Sequence, residues 1–178
     1  MLASIVRHGA AAGLFIAAVM FLPFLLFGRP SPEYLRLGEI VGYSAMVLAL
    51  SAVWFAMRSR RALNGSLGFS EGLGIGAGVS LVAALLFGLA TWAFYAYSGD
   101  ALPEEIYAFY QDQIHQSGAD AASIAARLAE LERMRPMFFD KTLQAGIMAA
   151  TVFVIGLVLS VISAAALRRV PRTGPEPA

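Results

Sequence analysis

The chain has 178 residues, 58% of them hydrophobic and only 14% charged, with a formal net charge of +1 and no cysteine; its mean hydropathy is +0.68. Such a chain is too apolar for a soluble domain of its length and belongs in a lipid bilayer. The missing cysteines exclude disulfides, thiolate metal sites and cysteine nucleophiles, and so small a net charge offers no footprint for nucleic acid.

Four windows without Asp, Glu, Lys or Arg, at 9–28, 40–57, 72–99 and 142–167, are each long enough to cross a hydrocarbon core of about 30 Å. They predict spans at about 9–28, 38–57, 72–97 and 143–167. The first follows Arg7, exceeds the apolar length of a signal peptide and ends in FLLFGRPSP, without a small-x-small cleavage pattern, so a retained helix is expected. Pro23 is placed to kink it, and Gly9 with Gly13 gives a small-xxx-small step for close helix packing.

The second span opens with GEIVGYSAM, where Gly38 and Gly42 repeat that step and Glu39 puts a carboxylate at the mouth of the helix. In a first helical turn Glu39 would meet the positive end of the helix dipole and unpaired backbone N–H groups, and it would also lie within reach of Arg36. The competing reading is a working charge, since ionisable groups at membrane helices are costly and so tend to be functional. Ser44 in GYSAM is no nucleophile elbow, because Met46 stands where glycine is required.

A basic loop, MRSRRALNGSLGFSE, carries Arg58, Arg60 and Arg61 to the third span, with a turn at 64–68. The third span begins SEGLGIGAGVS. A dinucleotide loop would need glycine where Ala77 stands and a strand before it, so that reading fails. Gly72 with Gly76 and Gly74 with Gly78 instead give two overlapping steps for helix packing.

Between the third and fourth spans, 100–141 carries eight acids against four bases. Two amphipathic stretches are expected there: one opened by Pro103 with Ile106, Phe109, Tyr110 and Ile114, and one with Ile124, Leu128 and Leu131 that stops before Pro136. Ser117 or Asp120 is the expected cap of the second. Their apolar stripes suit mutual packing, a protein partner or self-association. The fourth span ends at LRRVPR, followed by a proline-rich tail, 170–178, expected to be disordered. The arginines after the second and fourth spans put those ends, and hence both termini, in the cytoplasm.

No span carries a buried acid, base or histidine, which argues against an ion-coupled transporter. His8 and His115 fall on opposite sides of the predicted membrane, and no metal or cofactor is expected. The serines and threonines of the spans, among them Ser51, Ser80, Thr91, Thr151 and Ser160, offer weak interhelical bonds.

RHGAAAG, GEIVGYSAMVLALS, NGSLGFSEGLGIG, TWAFYAY, SGADAASIAARLAELE and ISAAALRR together give a resemblance over nearly the whole chain. It resembles the bacterial membrane family catalogued as domain of unknown function 4199. The resemblance implies four helices in the inner membrane and an acidic position at Glu39, and it brings no established activity. Thr151 and Val154 depart from it, standing where the resemblance implies an acid and a proline in the last helix.

The expectation is therefore an all-α integral membrane protein of the bacterial inner membrane, with four transmembrane helices and an extramembrane helical hairpin between the third and fourth. The expected role is a non-catalytic interaction or scaffold component. The alternative is an oligomeric channel or small-solute permease without ion coupling.

Overall fold

The structure, a computed structural model, describes residues 1–27 and 32–168, with side chains given except at 27, 32–37 and 39. The tail 170–178, Gly28 at the end of the first expected span, and the side chains of Arg36 and Glu39 lie outside the described ones. Seven helices follow in order: α1 (Leu2–Phe27), α2 (Pro32–Leu50), α3 (Ala52–Asn64), α4 (Phe69–Ser98), α5 (Ala101–His115), α6 (Ala121–Phe139) and α7 (Lys141–Leu167). Among the described residues there is no strand.

Four stretches are long and apolar enough to cross a membrane: Leu2–Leu26, Ile40–Asn64, Phe69–Ser98 and Lys141–Leu167. The second joins α2 and α3 across Ser51, whose hydroxyl donates to the Leu48 carbonyl at 2.6 Å. Such local back-bonding competes with the helical ladder and bends a helix. α3 ends on Gly65, whose φ of 73° is the left-handed conformation that glycine adopts freely.

α4 is the axis of the bundle. Against α7 it sets a ladder of small residues one helical ridge long: Gly72 faces Ala164, Gly76 faces Ser160 and Ser80 faces Gly156. Each step forward by four on α4 is a step back by four on α7, so the two run antiparallel. The same G-x-x-x-S pattern, Gly76 to Ser80 and Gly156 to Ser160, thus meets itself head to tail. Between helices in lipid no hydrophobic driving force operates, and close van der Waals contact takes its place. A Cβ on Gly76 would lie 2.6 Å from that of Ser160, and one on Gly156 2.5 Å from that of Ser80, so neither glycine has room for a side chain.

Both serines are fully buried. The sequence leads one to expect bonds from such hydroxyls to neighbouring helices. Instead Ser80 donates to the Gly76 carbonyl at 2.8 Å and Ser160 to the Gly156 carbonyl at 2.6 Å. Thr91 and Thr151 likewise donate to the carbonyls four residues back, of Phe87 and Ile147. A hydroxyl satisfied on its own helix presents only its small carbon body to the partner, which permits the close approach.

α1 lies along another side of α4. Gly9 abuts Val82 and the Val79 carbonyl, and Gly13 abuts the Ala83 carbonyl, so these two helices run parallel. Farther along, Phe21 stacks on Phe94 with ring centroids 4.5 Å apart. Ile16, Leu50, Phe87 and Val152 centre one buried cluster, and Val53, Met57, Val79 and Ala164 centre a second at the α3–α4 turn.

α5 and α6 lie against each other, and α5 also touches α2 and α4. α5 ends where Ser117 donates to the Ile114 carbonyl at 2.7 Å, and Gly118 turns the chain with φ 68°. Asp120 caps α6 by accepting from the Ser123 N–H at 3.0 Å. α6 does not stop before Pro136 but runs through it to Phe139. Proline that near a helix end removes one hydrogen bond. The turn it interrupts is held against α5 by Phe138 on Tyr107 and Tyr110, and within α6 by Arg135 over the Phe139 ring at 5.0 Å. Asp140 then caps α7, accepting from the N–H groups of Thr142 and Leu143 at 2.9 and 3.0 Å.

Candidate functional site

Glu39 loses its expected place in a first turn. α2 begins at Pro32, a residue suited to a first helical position because its missing N–H would have had no partner there. Glu39 is therefore two turns inside the helix, whereas unpaired N–H groups and the dipole's reach are confined to the first turn. Capping by that route is excluded on backbone geometry alone.

The packing glycines divide. Gly42 would place a Cβ 2.8 Å from the sulfur of Met20, Gly72 one 3.1 Å from Ala164 Cβ, and Gly78 one 3.0 Å from Ile5 Cγ2. With Gly76 these four stand at helix contacts. Gly38 and Gly74 have open space there among the described residues. Gly74 lies on the α1-facing side of α4 with Gly78, but α1 begins at Leu2 and already stands at Gly78 through Ile5, so one turn earlier no α1 side chain reaches it.

The α5–α6 segment gathers most of the polar chemistry outside the bundle. The Tyr107 hydroxyl donates to the Glu132 carboxylate. That bond, with burial second, raises the tyrosine pKa above its ordinary value. The Arg135 guanidinium covers the Tyr107 ring at 5.7 Å. Sequence periodicity misses this set, because Tyr107 and Glu132 lie on different helices and only the folded register joins them. Asp120 has its pKa lowered, mainly by the Ser123 hydroxyl, which donates to it at 2.7 Å.

Of the expected stripe residues, Leu131 is buried, while Ile106, Phe109, Tyr110, Ile114, Ile124 and Leu128 are half-buried. What remains uncovered lies farther along α6. Leu131 is the one buried residue among its 19, and Met134 and Met137, three residues apart on one face, are 42% and 40% exposed. Ending the helix before Pro136 loses Met137, and Met134, which lies inside that limit, is left out of the expected stripe.

Below the segment, where α4 and α7 leave the bundle, Tyr95, Asp100, Pro103, Asp140 and Lys141 line a cleft of about 350 Å³. Its acids do not converge on a reacting position: Asp140 is committed to the α7 cap, and the Lys141 ammonium sits 5.0 Å over the Trp92 ring. Among the described residues no three His, Asp or Glu side chains stand close enough to hold a metal.

A family model described as "Protein of unknown function (DUF4199)" matches residues 7–169. No curated protein and no solved structure matches the chain.

Proposed function

Since the chain belongs to the DUF4199 family, whose model covers residues 7–169, we infer that its work is that of a membrane-embedded, non-catalytic interaction component. In this reading the four apolar stretches span the inner membrane of a bacterium. Both termini face the cytoplasm, and α5 and α6 stand on the outer side. A protein partner or a second copy of the chain binds there.

The observation that carries the reading is the surface of α6. A 19-residue helix that buries Leu131 alone, and shows Met134 and Met137 side by side, has more apolar surface than its contacts with α5 and α7 use. Methionine suits such a surface because its unbranched, polarisable side chain adapts to what it meets. The bundle supports the reading from the other direction. Of its four buried hydroxyls among the described residues, those of Ser80, Thr91 and Ser160 are turned back onto their own helices, so the α4–α7 contact offers a solute little polar lining.

The test replaces residues 100–140 with a flexible linker of equal reach and isolates parent and variant in mild detergent. Mass spectrometry and light scattering then identify what travels with each. A stoichiometric protein or second copy retained by the parent and lost by the variant is the expected result. A homo-oligomer that survives the replacement and passes small solutes through vesicles would favour an oligomeric channel instead.

A further inference from the structure

At the end of the bundle remote from α5 and α6, the arginines of the α3–α4 turn are not equivalent. The Arg60 Nε donates to the Glu71 carboxylate at 3.0 Å, so its charge is met within the chain. Arg58 and Arg61 make no ion pair among the described residues. Both line a cleft of about 540 Å³ that Trp54 and Ala62 share with them on α3, with Gly65 just past that helix and Leu167 at the last position of α7.

The order of these residues along α3 gives the cleft its chemistry. Positions 54, 58, 61 and 62 fall on one stripe of α3. At about 1.5 Å per residue, Arg58 stands roughly 6 Å and Arg61 roughly 10 Å beyond Trp54 along the axis. Along α3 the cleft therefore grades from an indole to two guanidinium groups nearer the end of the helix, and buried Leu167, with exposed Arg168 just past it, adds an apolar wall from α7. Phe55, 55% exposed, extends the apolar surface beside Trp54 on α3.

We propose that this cleft binds the phosphate of an anionic phospholipid, held by Arg58 and Arg61, with Trp54 at the junction of headgroup and acyl chain. Guanidinium pairs with phosphate oxygens bidentately, indole prefers the membrane interface, and a basic pocket between spanning helices selects anionic headgroups. A free phosphate ion uses the same arginines, yet it has no use for Trp54, Leu167 or exposed Phe55. The proposal rests on the four-span membrane reading and does not depend on the role of α6.

The test uses the full chain with Trp92→Phe, which leaves Trp54 as the only indole, reconstituted into vesicles. Retention of the protein in the membrane after an alkaline wash is scored first. Release at that step sinks the membrane reading, whereas retention without lipid preference sinks the cleft alone. Brominated phosphatidylglycerol titrated against brominated phosphatidylcholine should quench Trp54 with a preference of about 25-fold, from about fivefold for each guanidinium near the surface. Arg58→Gln with Arg61→Gln should abolish that preference, and Arg7→Gln with Arg127→Gln, an equal loss of charge elsewhere, should keep it. Equal quenching by the two lipids in the parent overturns the proposal without reference to any arginine variant. In detergent, inorganic phosphate should leave the melting temperature unchanged and phosphatidylglycerol should raise it. If phosphate alone reproduces the rise, the cleft is a free-anion site and the lipid assignment is wrong.

Discussion

Gly76→Ala adds one methyl group where α4 and α7 are in close contact. The new Cβ would meet Ser160 Oγ, Ser160 Cβ at 2.6 Å and Met57 Cε at 2.6 Å. Met57 Cε is the free end of a flexible side chain and can swing aside, but Ser160 is fully buried and its Cβ moves only with the α7 backbone. Restoring ordinary contact at about 3.5 Å or more needs the helices to part by about 1 Å, which also loosens Gly72 against Ala164 and Ser80 against Gly156. Overpacking of this kind costs about 1–3 kcal/mol.

Gly74→Ala is the matched control, an identical substitution two residues away with open space at its Cβ. Replacing glycine by alanine in a helix gains up to about 1 kcal/mol at either position, so that gain cancels between the two variants. For a chain of this size each kcal/mol moves the melting temperature by about 2–4 °C, so Gly76→Ala should melt roughly 2–12 °C below Gly74→Ala. The assay is thermal unfolding of the detergent-solubilised proteins followed by circular dichroism. Adding Ser160→Gly to Gly76→Ala should recover part of the loss, because it removes the atoms struck. If Gly76→Ala melts with or above Gly74→Ala, the α4–α7 register described above is wrong.

Tyr107→Phe should loosen α5 from α6, read as faster hydrogen exchange across both helices with the bundle unchanged. Because the bond to Glu132 raises the tyrosine pKa above its ordinary 10.0, its contribution is complete below about that pH. It fades as pH rises through the raised value, so the parent should show an alkaline loosening step that the variant lacks. Asp120→Ala should speed exchange in the first turn of α6. The Asp120 pKa is lowered from 3.8 by Ser123, so the cap is at full strength above that value and is lost as pH falls through the lowered one. Acid should therefore fray the first turn of α6 in the parent and leave the variant little changed.

The long apolar helices were legible because a charge-free window is a property of composition, and the windows 72–99 and 142–167 coincide closely with α4 and α7. Helix limits are a different property. α2 extends back to Pro32 through a polar stretch containing Arg36, which hydropathy assigns to a loop and backbone geometry does not, and so Glu39 was placed in a turn it does not occupy. The pairing of Gly76 with Ser160 was half visible. Both helices carry G-x-x-x-S, but small residues also recur at Gly9, Gly13, Gly38, Gly42 and Gly74, and nothing local says which of them meet. Serine and threonine misled for a plainer reason: a carbonyl four residues back is always within reach, whereas a partner helix is within reach only once the fold is known. The polar set of Tyr107, Glu132 and Arg135 depends on the α5–α6 register, and no periodicity within one helix records that.

The four-span arrangement, with the α5–α6 segment outside and the basic turn inside, is tested most directly by labelling single cysteines, since the chain has none of its own. Ser117→Cys sits between α5 and α6, and Ser66→Cys sits in the α3–α4 turn. An impermeant thiol reagent applied to intact spheroplasts should label Ser117→Cys at once and Ser66→Cys only after the membrane is opened. Labelling of Ser66→Cys with protection of Ser117→Cys would reverse the orientation, and equal labelling of both in intact cells would contradict a membrane lying between them.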